Sequence, residues 1–532
     1  MLQGLLPAPA DLGLATTQYY PMQEDMAFWV WSQQTKVVGL SAPTGSGKSF
    51  VAALQYLLSP NQKVVVLTGT KALQSQYGRQ FANNSLLDLR GKQNYSCRIE
   101  PDATVAEAAC QGGYKCQYMS GGCQYFDQVK AVQQDHRLFV NTNYSYWLAM
   151  ENYTGAGLGR PPDVLVCDEA DTLFDTLSEL LSFSISQEHS RSLIGMDLPE
   201  SGATQEQITA WADRGKLEIT KRLGAYSTST ALFQSKAERR RVNELTRLSG
   251  ELAKVASAKG DWIPEWGLRG SRQVAYFALT PVWPVEYIQD VLFHGATKVV
   301  LMSATLPETM VELLSGGLPY VYRDYPSVIP VADRPIIHIE TAQMRRATQD
   351  YSRWISRIDQ IIEARRDRRV LVHTTSYDRR NRVMEGSRHR GAVPRVLLSH
   401  GSADIEEVVA EFKTKPPPVA LISPSLTRGH DFPGDQCEVV VIGKIPYPDT
   451  RSAVVQARIK RWKDYPAFTA MQTIQQEAGR ATRYVGDRAE ILIIDDDWKW
   501  FWPKYRHYAS RWFAEAVRGS VDTIPAPLPK LN

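Results

Sequence analysis

The chain has 532 residues, too many for one hydrophobic core, so three or four domains are expected. Sixty-one Lys and Arg stand against 57 Asp and Glu, a net charge of +4, which excludes a partner fixed by bulk charge and requires any nucleic-acid footprint to be local. No apolar run of about 18 residues suits a membrane span, and Met1–Pro7 lacks the basic n-region of a secretory leader, so a cytoplasmic protein is expected.

Tyr20, Pro21, Met22 and Gln23 lead into Met26, Phe28, Trp29 and Trp31, the pattern of a buried helix. Gln23 precedes a phosphate loop, where its amide can read an adenine edge; an exposed helix glutamine is the plain alternative. The loop follows the apolar run 36–40 and reads Ser-Ala-Pro-Thr-Gly-Ser-Gly-Lys-Ser from Ser41 to Ser49, before helical spacing over 50–58. Strand, loop and helix in that order cradle phosphates. Gly45 and Gly47 turn backbone N–H groups of the Thr44–Gly47 stretch toward an anion, Lys48 reaches the β/γ-phosphates, and the Ser49 hydroxyl can hold Mg²⁺. ATP binding is the first expectation.

A parallel-type strand over 63–70 ends in Thr68 and Thr70, and Gln76 lies a few residues on. These can contact a nucleic-acid backbone, although Thr70 also suits a helix N-cap. Cys97, Cys110, Cys116 and Cys123 then crowd into one window, which in a reducing compartment points to a metal centre. Four thiolates with no histidine and no C-x2-C pair suit a [4Fe–4S] cluster or Zn²⁺. Arg90, Lys92, Arg98 and Lys115 interleave there with Tyr95, Tyr114, Tyr118 and Tyr125, either a platform for a single strand or tyrosines that simply cover the centre.

The strand 162–168 ends in Asp168, Glu169, Ala170 and Asp171. Beside a phosphate loop, Asp168 can bind Mg²⁺ through water and Glu169 can polarise the attacking water. Helical periodicity follows from Thr172 to about Gly270, with a basic run Lys236–Arg241 that could touch a phosphate backbone but reads first as a solvated face. Strand character returns at Val274–Leu279, and a further strand ends in Ser303, Ala304 and Thr305. A second α/β unit begins near 345, with strands at 369–375, 419–423, 438–442 and 490–494. It carries Arg428–Gly434 after one strand, and Gln476, Arg480 and Arg483, whose arginines facing a phosphate loop have the geometry of an arginine finger. The aromatic stretch from Trp498 to Phe513 reads as core.

Taken in order, Gln23, the phosphate loop, Thr70 to Gln76, the four cysteines, Asp168 to Asp171, the helical insertion, Ser303 to Thr305, Gly429 to Gly434 and Gln476 to Arg483 resemble the XPD/Rad3/DinG family of iron–sulfur superfamily 2 helicases. The lead Leu89–Cys97 and the run Val441–Pro448 are similar to that family as well. The resemblance implies an α/β fold of two RecA-like parallel-sheet domains. Residues 1–95, 126–171 and 271–344 would build the first, with an iron–sulfur insertion at 96–125 and a helical arch at 172–270, and 345–532 would build the second. It implies a nucleotide site of Gln23, Thr44, Gly45, Ser46, Gly47, Lys48, Ser49 and Asp431, with Mg²⁺ on Ser49 and Asp168. The catalytic set would be Lys48, Asp168, Glu169, Gln476, Arg480 and Arg483, and a [4Fe–4S] cluster would sit on the four cysteines. The implied activity is ATP-dependent 5′→3′ translocation on single-stranded DNA with separation of forked duplex, by a monomer that acts at the nucleoid and not at a membrane. Asp171 stands where the family usually has His, Tyr20 where an Arg often stands, and Arg428 where Glu is common. A single-strand-stimulated ATPase that remodels complexes without unwinding, and a clamp whose ATP site only sets affinity, are the competing readings; Glu169 and the arginine pair speak against the clamp.

Overall fold

A strand buried on both faces must be apolar at nearly every position, and runs of that kind set the architecture. The computed structural model describes residues 6–530 apart from 13–17, 21, 60, 83–85, 113–115, 136–137, 154–156, 228–235, 259, 270–272, 346–349, 427–429 and 483. In chain order the first strands are β1 (Val37–Ser41), β2 (Lys63–Thr68), β3 (Leu86–Asp88), β4 (Leu138–Asn143) and β5 (Val164–Asp168). Then come β6 (Phe183–Ser186), β7 (Trp262–Arg269), β8 (Val274–Pro281), β9 (Lys298–Ser303) and β10 (Tyr320–Asp324). The remainder are β11 (Ile336–Ala342), β12 (Arg369–His373), β13 (Leu397–Ser399), β14 (Val419–Ser423), β15 (Val439–Ile442), β16 (Glu490–Asp495) and β17 (Val517–Val521).

Two parallel sheets result, ordered β10-β1-β9-β5-β2-β4-β3 and β13-β14-β12-β15-β16-β11-β17. These are the RecA-like sheets that the resemblance implies. Their central strands β1, β2, β5, β12, β14 and β16 are buried along their whole length. The cysteine segment lies in the connection between β3 and β4.

Between β5 and β9 the chain leaves the first sheet. Helices Gln205–Ser227 and Lys236–Ser257 pack together and cover an antiparallel sheet ordered β6-β8-β7, with a separate core of Phe183, Trp211, Leu248, Leu252 and Phe277. The expected return to the first sheet at 271 is therefore corrected. Residues 274–281 belong to the insertion, because the Phe277 ring meets Trp266 at 5.4 Å and Trp211 at 5.9 Å and so spends that face on the insertion's own core. The chain rejoins the first sheet at Lys298.

One apolar cluster runs unbroken from Leu165 and Leu301 under the first sheet, through Phe174, Trp283 and Tyr465, to Leu371 and Ile442 under the second. Arg458 pins this joint. Almost fully buried, it donates to Val282 O at 2.9 Å, to Ser178 Oγ at 2.8 Å and to Tyr465 OH at 3.0 Å, with its guanidinium 4.8 Å from the Phe174 ring centroid. Arg458→Ala strands two buried acceptors and a half-buried one, so the urea midpoint is expected to fall by the equivalent of roughly 2–4 kcal/mol. A midpoint within the error of the unmodified chain would mean that the joint does not depend on this arginine.

Candidate active site

The loop after β1 must bend its N–H groups inward, and it does so where side chains are absent: Gly45 and Gly47 have φ of 77° and 82°. Lys48 opens the helix Lys48–Leu57 and gives its ammonium to the carbonyls of Ala42 at 2.6 Å and Pro43 at 2.9 Å. The Ser46 hydroxyl also donates to Pro43 O, at 2.7 Å. Gln23 is buried against this loop. Its Oε1 accepts from Tyr20 N at 2.9 Å and its Nε2 donates to Gly47 O at 3.3 Å. A Cβ on Gly47 would stand 2.2 Å from that amide, so the loop's second glycine makes room for Gln23.

At the end of β5, Asp168 is buried, which raises its pKa, while the Lys48 charge opposes the rise. Its Oδ2 accepts from Tyr77 OH at 2.9 Å, and its Oδ1 from Glu169 N at 2.9 Å. The fully buried Tyr77 hydroxyl also hydrogen-bonds Ser49, so one phenol joins the two residues expected to hold Mg²⁺. Sequence pattern had passed over Tyr77, which looks like any apolar residue of the helix Lys71–Gln80. Glu169 sits at φ 54°, ψ 42°, a left-handed conformation that costs a non-glycine residue about 1–3 kcal/mol. Its carboxylate lies over Gly69, where a Cβ would come within 2.5 Å of Oε2. Between the two, Thr70 plays its plainer part and accepts from Leu73 N as a helix N-cap.

Asp171, one turn beyond, gathers three donors. Ser303 Oγ reaches its Oδ1 at 2.6 Å, and Thr305 Oγ1 and Gln476 Nε2 reach its Oδ2 at 2.5 Å and 2.8 Å. Gln476 comes from the helix Tyr465–Ala478 of the second sheet, so this carboxylate bridges the domains. A second bridge runs from Thr44 Oγ1 in the phosphate loop to Thr482 O, at 2.6 Å. Arg480, two residues before Thr482, is buried and donates to His430 O, with Asp431 Oδ1 3.7 Å away. The structure thus brings Lys48, Ser49, Asp168 and Glu169 together, puts Gln476 on Asp171, and rests Arg480 on the loop that carries Asp431. Arg428, Gly429 and Arg483 lie outside the described residues, as do Tyr114 and Lys115.

Cys97, Cys110, Cys116 and Cys123 line one cavity whose walls include Ile99, Val105, Ala108 and Phe126. Burial pushes the Cys110 thiol up, Gln111 opposes, and the charges of the other three cysteines add to the rise. N–H groups of Glu100 and Gln111 point at the sulfurs of Cys97 and Cys110, each at 3.4 Å. Among the described residues no group of three or more His, Cys, Asp or Glu is arranged to hold a metal ion. Tyr95 and Tyr125 are core residues, leaving Tyr118 under Arg98 as the half-exposed ring of the group. The basic run of Lys236–Ser257 is solvated at Lys236 and Arg240, as expected, but buried at Arg239. Arg239 is buried against Glu100 at 2.9 Å and Arg240 meets Glu107 at 2.7 Å, so the helical insertion clasps the cysteine segment.

Residues 20–194 match the family model described as DEAD/DEAH box helicase, and residues 358–516 match the one described as helicase C-terminal domain. A Bacillus subtilis protein named 3′-5′ exonuclease DinG is 26% identical over 262 residues, 44% of this chain and 27% of that protein. The ATP-dependent DNA helicase YoaA of Haemophilus influenzae is 26% identical over 144 residues, 26% of this chain and 22% of that one. The matched part therefore spans about a quarter of these relatives' length. A solved XPD helicase structure superposes with a TM-score of 0.63 at 16% identity, over 95% of this chain and all of that one. Xpd4 of S. tokodaii gives 0.58 at 15%, over 94% of this chain and 100% of that one. At such identities the likeness is one of fold.

Behind Arg480 a buried pair titrates in an unusual range. Glu477 and His373 stand 3.5 Å apart; burial pushes the carboxyl up to about 8 against the pull of Arg480, and burial, then the Arg480 charge, push the imidazole down to about 3. The raised Glu477 pKa makes its contribution to stability full below its ordinary 4.5 and lost as pH rises through about 8. The lowered His373 pKa acts oppositely, full above its ordinary 6.5 and lost on acidification toward 3. Between pH 6.5 and 8 Glu477 therefore acts alone. Across that window the melting temperature of the unmodified chain is expected to fall while that of Glu477→Gln holds level; parallel curves would contradict the assignment.

Proposed function

We propose that this chain, which belongs to the XPD/DinG type of superfamily 2 helicases, is an ATP-driven motor that moves 5′→3′ along single-stranded DNA and separates duplex at forks. The observation that carries the reading is the pair of contacts across the cleft, Thr44 to Thr482 and Asp171 to Gln476. They lay the nucleotide loop of one sheet against the arginine-bearing segment of the other. The helicase name of the Haemophilus influenzae relative supports it.

Without nucleotide, Lys48 is held by two carbonyls of its own loop and Arg480 by His430 O. Asp431 Oδ1 also lies 3.7 Å from Arg480, and phosphate oxygens are stronger partners for both cations than neutral carbonyls. ATP in the cleft draws Lys48 onto the β/γ-phosphates, and Gln23 would read the base. Ser49 and Asp168 would hold Mg²⁺, which would neutralise charge building on the phosphates. Glu169 orients and polarises the attacking water, and Arg480 with Arg483 supplies the arginine finger. Closure tightens the Asp171–Gln476 contact and release loosens it, so that backbone contacts on the two sheets are made and broken in turn.

Cys97, Cys110, Cys116 and Cys123 would hold a [4Fe–4S] cluster. Their shared cavity and the N–H groups aimed at two of the sulfurs fit such a group, which would cross-link the segment as a rigid wedge. The partners are single-stranded and forked DNA, met by a monomer at the nucleoid. The test uses anaerobically purified chain with ATP and Mg²⁺ on duplexes carrying a 5′ or a 3′ single-stranded tail. Unwinding of the 5′-tailed duplex alone, lost in Lys48→Ala, is expected. Single-strand-stimulated turnover with neither tail unwound would replace the reading with that of a translocase that remodels complexes.

A further inference from the structure

Residues 377–395 carry six arginines against Asp378 and Glu385, a net +4 that equals the net charge of the whole chain. Every charge outside this stretch cancels. The six are not equivalent. Arg379 and Arg380 are half-buried and turned onto Thr375, Ser376 and His400 O, and Arg382 is spent on Asp378 at 2.9 Å and on the Tyr351 ring.

The other three, Arg388, Arg390 and Arg395, are exposed and lie on the loop between helix Tyr377–Gly386 and β13, the outermost strand of the second sheet. The helix's length, about 15 Å, separates this loop from the N-cap Ser376. Each arginine is aimed by a bond to a backbone carbonyl: Arg388 to Asp359 O at 3.2 Å, Arg390 to Glu385 O at 3.3 Å, Arg395 to Leu397 O at 2.8 Å. Five N–H donors per guanidinium leave each group further donors to offer outward. The nearest carboxylates are Asp359, buried and bonded to Ser387, and Glu363, 3.7 Å from Arg388 and shared with Arg366. Val393 at the loop's tip is 96% exposed.

The chemistry selects the partner. Anchored, outward-facing arginines suit phosphate oxygens, which they bind in a fork. Grip on a single strand also needs aromatic faces for the bases, and residues 387–395 contain no Phe, Tyr or Trp. A duplex keeps its base faces stacked inside and lines its outer edges with phosphates. We infer that Arg388, Arg390 and Arg395 form a contact for the backbone of double-stranded DNA, on the flank of the second sheet and apart from the strand path between the sheets. The inference rests on the DNA-motor reading and adds to it a second place where the substrate is held.

The test measures binding of a blunt duplex and of a homopolymeric single strand by the full chain across a salt series, beside a triple variant Arg388→Ala, Arg390→Ala, Arg395→Ala. Loss of three phosphate contacts should make the duplex slope of log affinity against log salt shallower by about 2.7. Single-strand affinity and single-strand-stimulated ATP turnover should stay as they were. The corresponding triple Lys variant should keep most of the slope, which separates charge from folding. An unchanged duplex slope, no duplex binding by the unmodified chain, or equal losses on duplex and single strand would each overturn the inference. A chain that binds duplex in this way yet turns over no ATP would instead sink the motor reading and leave the contact standing.

Discussion

The carboxylate of Asp171 is the constraint on which the two sheets depend. It is buried, accepts only, and receives a hydroxyl from the end of β9, a second hydroxyl two residues on, and an amide from the second sheet. A buried charge is tolerated when its lone pairs are met, and hydrogen bonds to a charged group are worth roughly 1.5–3 kcal/mol each. Ser303, Thr305 and Gln476 all donate to it. The bonded arrangement is complete only when the second sheet has come up to the first. Asp171 lies three residues from Asp168. The state of the nucleotide site and the closeness of the sheets therefore meet in one short segment.

The rest of the cleft follows the same logic of partners waiting to be exchanged. Lys48, Arg480 and Gln23 each rest on a backbone carbonyl. Around them stand groups that cannot move cheaply. Glu169 is fixed in a left-handed turn over Gly69, and Tyr77 is locked between Ser49 and Asp168. A rigid carboxylate set with exchangeable cations allows a polyanionic ligand to redirect several side chains without rebuilding the strands. The aromatic joint around Arg458, through Phe174 and Tyr465, packs the same region of the first sheet against the second.

Much of this was legible from local chemistry. The phosphate loop is written in glycines that need positive φ, and the parallel strands in runs apolar at every position. The four cysteines, read from their crowding as a metal centre, come together on one cavity. Features built from distant pairings were not legible. The hairpin of β7 and β8 reads as generic strand, and nothing local says that Phe277 will be claimed by Trp211 instead of by the first sheet. Arg239 and Arg240 look like a solvated run because their partners Glu100 and Glu107 lie well over one hundred residues earlier. Arg458 and Tyr77 resemble any basic and any aromatic helix residue until their acceptors are in place. The excess charge of residues 377–395 was countable from the start, but only the fold separates the arginines that are spent from those that face outward.

The central claim is that Asp171 and Gln476 act as one unit across the cleft. A double-mutant cycle on single-strand-stimulated ATP turnover, with Asp171→Ala, Gln476→Ala and both together, tests it most directly. The account predicts that the double variant is barely worse than Asp171→Ala, a coupling of about 1–3 kcal/mol. Losses that simply add would mean that the two residues work independently and that the sheets are joined by something else.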